Sequence, residues 1–446
     1  MSTRRELLRG FGLAAAAGAL GTLAPRSAHT AGEEYRVLVV VLLQGGMDGH
    51  NVLVPGDERY AEYQAARGNL ALPRSELIDL PGSPGGRRFA MHSSLAGLQS
   101  AYQNGRLAFL ANVGPLLRPV TAADVRAGTA EVPPMLGSHQ AQMAAVQGAL
   151  PEGDGSGWGG RALEALPPEL RHGRAAFALD PEARLLHGRR SDVALRSNSW
   201  WPGWNIGWLR DPNNIGTQAY QRAAAQQSAN LMRQEYGRTL SGVMGDVAWF
   251  NQAFDRGGDA AGDWGNTHVS GQLRTLARLL PFAKQQGLRR QICMVSDVQW
   301  DLHRELRGRQ ANRLLQLAKS LVAFDNHLVG AGLDQNVATL VMSEFGRTLR
   351  PFSTNNDGSE HGWGNHWMLL GGPVAGGTVH GTFPSLVLGG ADDGDPNGAG
   401  RLVPTMASDQ VAATLSRWLG VAAADLETVL PNLANFQNKT LPLLRA

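Results

Sequence analysis

The sequence predicts an α/β protein with a doubly wound, mostly parallel sheet and helices on both faces. Three observations lead to this fold class. Strand-length apolar runs recur along the chain, segments with helical spacing alternate with them, and the runs end in polar or glycine-rich turns. With 446 residues and 43% hydrophobic residues, the chain can bury a large core, so we expect a single domain at residues 32–446.

The N-terminus has the features of an export signal. Arg4 and Arg5 precede a small-residue apolar segment, Phe11–Ala24, which is too short to span a bilayer. This pattern predicts a twin-arginine signal over residues 1–31, with the twin-arginine translocase as partner during export and a periplasmic or secreted mature protein. The alternative is a membrane anchor retained by poor cleavage. Otherwise we expect no stable membrane span in the mature chain.

The basic bias of the chain is concentrated in this signal. The whole sequence has 41 basic and 38 acidic residues, and four of the arginines lie in residues 1–31. The mature chain is therefore close to neutral, and its charge indicates no nucleic-acid partner. The single cysteine, Cys293, excludes an internal disulfide and lies in an apolar run, where we expect it to be buried and unreactive.

Apolar runs of strand length define the predicted sheet. They are Val37–Leu43, Leu107–Gly114, Ala175–Leu179, Gln291–Val295 and Asn336–Met342. Helices are predicted between them by apolar residues at helical spacing or by turn and cap signals. These helices are Ser94–Asn104, one that begins near Gln140, Leu273–Lys284 and Gln310–Gly332.

An insertion at about residues 181–265 interrupts this alternation. It contains the Trp200–Trp208 loop, with four of the 11 tryptophans of the chain, and apolar residues at helical spacing over Thr217–Phe254. The helical part predicts one or two long surface helices that form a cap over the sheet. The tryptophan loop either closes over a substrate or covers an apolar patch, and the sequence leaves both open.

Polar side chains follow the predicted strands at their carboxyl ends, which is where ligands bind in open α/β sheets. The candidate metal ligands are Asp48, Asp301, His303, Glu344, His361 and His366, with Asp297 as a spare carboxylate. Because these strand ends meet at one edge, we expect the side chains to converge there. Asp48 is interpreted equally well as a turn residue. For the Asp301 and His303 pair, a surface turn is the alternative to a metal site.

The mixture of carboxylates and histidines indicates a transition metal or zinc, because calcium sites are built from oxygen alone. Two ions roughly 3.5–4 Å apart would stabilise the attacking and leaving oxygens in a displacement at phosphorus or sulfur. Ser138 and His139 lie where a loop enters a helix, so Ser138 is either a helix N-cap or a nucleophile. Arg347 can clamp a substrate anion.

Several motifs together resemble the uncharacterised bacterial DUF1501 family, in the family's order and over nearly the whole chain. They are Arg4–Arg5, Gly45–Asn51, Ser138–His139, Asp301–His303, Ser343–Arg347, Glu360–His366 and Gly371–Gly372. That family resembles the alkaline phosphatase and sulfatase superfamily in fold. The resemblance implies two divalent ions, zinc or manganese. One would be bound by Asp48 and Glu344, the other by Asp301, His303 and His361.

The resemblance also implies that Ser138 is the nucleophile and that His366 or His139 replaces one superfamily histidine that this chain lacks. The Cys/Ser-x-Pro-x-Arg motif of formylglycine sulfatases is absent from the sequence. We therefore expect an exported, metal-dependent hydrolase of small or polymer-borne phosphate or sulfate esters. The alternative is a non-catalytic secreted protein that kept the fold and serves in binding or in envelope assembly.

Overall fold

The computed structural model describes residues 35–82, 86–150, 153–179, 183–191, 193, 195–196, 211–226, 229–258, 260–353 and 356–445. The predicted signal over residues 1–31 and the Trp200–Trp208 loop lie outside the described residues, so both stay predictions. Residues Arg36–Ala446 form one compact unit. In the described part of the chain, no helix has the length and apolar character needed to cross a membrane.

The described chain contains strands and both short and long helices. The strands are β1 (Arg36–Leu43), β2 (Leu53–Pro55), β3 (Leu77–Leu80), β4 (Phe89–His92), β5 (Leu107–Gly114), β6 (Ala176–Ala178), β7 (Leu195–Arg196), β8 (Arg290–Asp297), β9 (Val337–Met342), β10 (Arg347–Ser353), β11 (Asn356–His361), β12 (Asn365–Leu370), β13 (Thr378–His380) and β14 (Met406–Ala407). The α-helices are α1 (Tyr60–Arg67), α2 (Gln99–Gln103), α3 (Ala122–Ala127), α4 (His139–Val146), α5 (Trp158–Ala165), α6 (Ile215–Ala225), α7 (Leu231–Arg256), α8 (His268–Gln285), α9 (Leu306–Gly330), α10 (Ser408–Leu419) and α11 (Leu426–Val429).

The central sheet has the strand order β13-β5-β12-β9-β1-β8-β6-β7, and β14 pairs with β5 beside this path. Its described pairings are parallel, except that β12 runs antiparallel to both β5 and β9. Two small antiparallel sheets, β2-β4-β3 and the hairpin β10-β11, lie outside it. The predicted mixed α/β fold with a mostly parallel sheet is therefore confirmed.

Both faces of the sheet centre are buried. Leu38, Val40 and Leu42 of β1 belong to a core cluster that includes residues of α5, α10 and α11. Val39 and Val41 point to the opposite face, because side chains alternate along a strand, and they are also fully buried. A strand buried on both faces needs a continuous apolar sequence, which is the pattern found at β1.

The predicted strands coincide with β1, β5, β6, β8 and β9, with ends that differ by no more than two residues. The helix predicted over Ser94–Asn104 is a 3-10 segment, Ser93–Leu98, that continues into α2. The helices predicted over Leu273–Lys284 and Gln310–Gly332 are confirmed as α8 and α9. Cys293 is buried in β8, as predicted.

The segment after Glu344 is longer and more regular than the polar or glycine-rich turn that the sequence predicts after a strand. It forms the hairpin β10-β11 and then β12, which enters the central sheet between β5 and β9. The pairing of β10 with β11 brings Arg347 opposite His361. The hairpin thus supplies two of the predicted site residues from adjacent backbone positions.

The helices predicted within Thr217–Phe254 are confirmed as α6 and α7. The second half of α7 packs on the rest of the fold. The Trp249 ring lies 5.6 Å from the Phe177 ring on β6 and 5.2 Å from the Phe282 ring on α8, between centroids. The first half of α7 is mostly exposed, including Leu231 and Met232.

Candidate metal centre

The site lies beyond the carboxyl ends of β1, β8 and β9, which are neighbours in the sheet. The turn after β1 packs against the segment after β8, and Trp300 N–H donates to the Gln44 carbonyl at 3.0 Å. Gly45 has a φ of +122°, and a Cβ there would lie 2.2 Å from the backbone nitrogen of Asp301. Only glycine permits this approach of the two loops, so Gly45 fixes the position of Asp301.

Three side chains from separate segments form the cluster best suited to hold a metal ion among the described residues. His139, Asp301 and His361 each offer one ligand atom, and these atoms all lie within 4.8 Å of one another. His139 opens α4, Asp301 follows β8, and His361 ends β11. The sequence predicted that Asp301 and His361 would meet as ligands, and it offered His139 as a substitute ligand.

Asp301 lies at the centre of this cluster. One carboxylate oxygen, Oδ1, lies 3.2 Å from His361 Nε2 and 2.9 Å from His303 Nε2. The other, Oδ2, lies 3.4 Å from His139 Nε2. The two histidine nitrogens, His303 Nε2 and His361 Nε2, are 3.1 Å apart. His303 Nε2 therefore lies beside the cluster and is a candidate for a fourth ligand atom.

The imidazoles of His139 and His361 are oriented by partners on their other ring nitrogen. His361 Nδ1 lies 2.6 Å from the Gly137 carbonyl oxygen, which can only accept, so this nitrogen carries the proton. His139 Nδ1 lies 2.9 Å from Glu344 Oε1. In both rings Nε2 thus faces Asp301, which is the arrangement that carboxylates and carbonyls impose on metal-binding histidines.

Glu344 is fully buried and both of its oxygens are engaged inside the protein. Oε1 accepts from Gly45 N–H at 2.8 Å and faces His139 Nδ1, and Oε2 accepts from the Ser343 hydroxyl at 3.0 Å. The sequence predicted Glu344 as a metal ligand. Its contacts are instead those of a residue that orients His139.

Arg347 is buried beneath the cluster and connects three of its loops. Its guanidinium donates to the carbonyls of Gly46, Gly45 and Ser359 at 2.8, 2.7 and 3.0 Å and to Asp301 Oδ1 at 2.5 Å. Its side chain is 0% exposed. These contacts are those of a positioning residue, and they differ from the substrate clamp that the sequence suggested.

The charges of the cluster perturb its titration. Burial raises the pKa of Asp301, but the hydrogen bond and charge of Arg347 outweigh it and lower this pKa to about 2. The hydrogen bond to Glu344 raises the pKa of His139 above its ordinary value, while burial lowers the pKa of His361. Asp301 is therefore ionised at neutral pH and available as an anionic ligand.

Ser138 is the N-cap of α4, and its Oγ accepts from Ala141 N–H at 3.5 Å, a long hydrogen bond. It precedes His139 directly, and its neighbour Gly137 orients His361. The cap interpretation of Ser138 is thus confirmed. Its role as a nucleophile stays a prediction.

Three other predicted carboxylate and histidine ligands have partners elsewhere. Asp48 is 1% exposed and forms a buried ion pair with Arg67. Burial raises the pKa of Asp48, although Arg67 and Arg347 oppose the shift. Asp297, the spare carboxylate, accepts from Trp300 Nε1 at 3.1 Å. These contacts give no support to an ion shared by Asp48 and Glu344.

His366 is fully buried in β12, because this segment is a strand of the central sheet. Its Nδ1 accepts from Asn112 N–H at 3.0 Å, and its ring stacks on Phe383 with centroids 4.9 Å apart. Burial lowers the pKa of His366 well below its ordinary value, so the ring is neutral. The described contacts of His366 therefore connect it to the core of the fold.

Sequence reasoning missed two residues that shape this region. Arg67, the partner of Asp48, lies in α1, and nothing in its local sequence distinguishes it from a surface arginine. Gln310 binds the backbone of Asp48 on both sides, accepting from its N–H at 3.0 Å and donating to its carbonyl at 2.8 Å. Both contacts join residues that are separated in the sequence, so a local sequence pattern does not predict them.

The donor set fits a zinc ion. Bonds of about 2.1 Å at tetrahedral angles place neighbouring ligand atoms about 3.4 Å apart. Asp301 Oδ2 lies 3.4 Å from His139 Nε2 and Asp301 Oδ1 lies 3.2 Å from His361 Nε2, so each contact, through a different carboxylate oxygen, is close to that spacing. Nitrogen-rich sets with one carboxylate suit zinc, whereas manganese prefers more oxygen ligands.

Fold and site together define an α/β protein with a candidate metal centre at the carboxyl edge of its sheet. The chain belongs to the family described as "Protein of unknown function (DUF1501)", whose profile matches residues 35–406. No curated protein matches the chain in sequence.

Proposed function

We propose that the protein is an exported, metal-dependent hydrolase of phosphate or sulfate esters, of the alkaline phosphatase and sulfatase type. The single observation that carries the proposal is the convergence of His139, Asp301 and His361, with ligand atoms within 4.8 Å of one another. His303, whose Nε2 contacts Asp301 Oδ1, is the fourth residue of the proposed ligand set. A bound zinc ion would supply positive charge for the oxygens of the ester in the transition state.

The exposure of the cluster supports a catalytic rather than a structural ion. The side chains of His139 and Asp301 are 39% and 42% exposed, and His361 is 21% exposed. A structural zinc site is closed by its ligands, whereas a catalytic one keeps a position for water or substrate. An open face on this cluster gives an ester access.

One ion is proposed rather than two. Asp48 is paired with Arg67 through Oδ2, which leaves only its Oδ1 without a hydrogen-bond partner, and both oxygens of Glu344 are occupied by Gly45, Ser343 and His139, so the two carboxylates do not together offer free oxygens to a second ion. Arg347 also supplies a fixed positive charge beside Asp301, with Nη2 at 2.5 Å from Oδ1. That charge takes the place of a second cation in balancing the carboxylate.

Ser138 is proposed as the nucleophile. It is the N-cap of α4, where backbone N–H groups and the helix dipole stabilise a developing negative charge. His139 follows it directly, so the hydroxyl lies one residue from a metal ligand. The expected sequence is attack by Ser138 on phosphorus or sulfur, release of the alcohol, and hydrolysis of the ester formed on the serine.

The test is metal analysis of the purified protein together with hydrolysis of p-nitrophenyl phosphate and p-nitrophenyl sulfate. We expect about one zinc per chain in the wild type and in Ser138→Ala, with turnover lost only in the serine variant. His361→Ala should lose the ion, and His327→Ala on α9 is the matched control. Protein that binds no metal after zinc-replete expression would favour the non-catalytic binding or envelope-assembly role.

A further inference from the structure

A cavity of about 310 Å³ lies beside α4, separate from the candidate metal centre. Its walls are mostly apolar, and none of the candidate metal ligands lines it. Small side chains on one face of α4 leave the space open. The apolar part of the wall includes Leu116, Pro133, Ala141, Ala144, Ala145 and Leu430.

One carboxylate, that of Asp409 in the first turn of α10, lines this apolar cavity. Asp409 is 9% exposed. No ion pair within 4.0 Å involves it in the described part of the chain. The nearby cation, Arg161, also lines the cavity, but its guanidinium donates to Val429 O, Ser156 Oγ and Gly148 O at 2.8, 2.7 and 2.7 Å.

Among the described residues, the Asp409 carboxylate therefore has no cation within ion-pair distance, although Arg161 lines the same cavity. Burial raises the pKa of Asp409 to about 6, despite the hydrogen bond from Asn432 and the charge of Arg161. At neutral pH the group is ionised in apolar surroundings, where an unpaired carboxylate is unfavourable. A cation that enters the cavity would remove this penalty.

We propose that the cavity binds a small apolar amine, with its ammonium group against Asp409 and its hydrocarbon part against the alanine face of α4. The volume holds about ten heavy atoms at roughly 30 Å³ each. Pro134 and Pro431, which also line the cavity, are exposed, so the space reaches the surface. Pockets with apolar walls and one fixed polar group are the common form of small-molecule site.

The test compares two probes of the same shape on the full-length wild-type protein. Hexylamine and 1-hexanol are titrated at pH 7.5 by isothermal calorimetry. We expect hexylamine to bind at least about tenfold more tightly, because a charge-assisted contact to a buried carboxylate contributes about 1.4 kcal/mol or more. Equal affinities, or no binding of either probe, would overturn the proposal.

Two variants assign the binding to this cavity. Asp409→Asn should lower the affinity for hexylamine to that for hexanol, and Asp425→Asn, at the exposed edge before α11, is the matched control. Ala144→Leu should fill the cavity and abolish binding of both probes. Binding of hexylamine to a folded Ala144→Leu protein with wild-type affinity would place the amine elsewhere and refute the site. Ala145→Leu serves the same purpose if Ala144→Leu does not fold.

Discussion

The buried ion pair between Asp48 and Arg67 yields the sharpest prediction about the fold around the site. Its side chains are 1% and 0% exposed. Arg67 also donates from Nη1 to the carbonyls of Thr348 and Leu349 at 3.0 and 3.1 Å. Arg67→Met would thus leave a buried carboxylate and two carbonyls without their partner. We expect a loss of about 3–5 kcal/mol in the free energy of unfolding.

The double variant Asp48→Asn, Arg67→Met tests the cause of that loss. It removes both charges, and the remaining amide can still bond to neighbouring groups, so we expect it to be more stable than Arg67→Met by about 2 kcal/mol. Urea unfolding followed by circular dichroism measures both values. Arg238→Met, which breaks an exposed pair with Glu235, is the matched control and should leave stability unchanged.

Two outcomes would refute this reasoning. The first is a loss of less than about 1 kcal/mol in the free energy of unfolding for Arg67→Met, because removing one partner of a buried ion pair destabilises the fold by more than that. The second is loss of the metal ion from the folded double variant, which would return Asp48 to the set of ligands. Retention of the ion would support a structural role for Asp48.

Three further predictions concern the metal centre and the α10 carboxylate. Glu344→Gln should weaken zinc affinity about 10–100-fold in a competition titration, because it loosens the orientation of His139; unchanged affinity would contradict this. Chelation should lower the thermal midpoint, and free zinc at 100 times its Kd should restore about 2.7 kcal/mol, with no effect in His361→Ala. Burial raises the pKa of Asp409 from 3.8 to about 6, so the folded state holds this proton more tightly than the unfolded chain. Wild-type stability should therefore fall by about 2 kcal/mol relative to Asp409→Asn as pH rises from about 4 to 6, and parallel pH profiles would refute the assignment.

The sequence predicts the central strands well because each contains an apolar run that can be recognised in the local sequence. The run Val37–Leu43 is apolar at every position, as burial on both faces requires, and β1 occupies Arg36–Leu43. β12 was missed because its polar first residues, Asn365 and His366, continue a glycine-rich segment. The pairing of the β10-β11 hairpin was missed as well, since its contacts arise from chain reversal and not from local composition.

The candidate site was predictable to the extent that strand order determines it. Parallel strands end at a common edge, so Asp301 and His361 were expected to meet. The direction of a side chain after a strand end is not fixed by that rule. Asp48 turns toward Arg67 in α1 and His366 points into the core, and both outcomes depend on partners outside the local sequence.

Arg347 joins backbone segments that are about three hundred positions apart in the sequence, from Gly45 to Ser359. The ligand geometry consequently cannot exist in a chain that ends before residue 361. A fragment that ends before Arg347 has neither the guanidinium that holds Asp301 nor His361 itself. Binding of the proposed ion must then follow the synthesis and folding of the segment from Arg347 to His361.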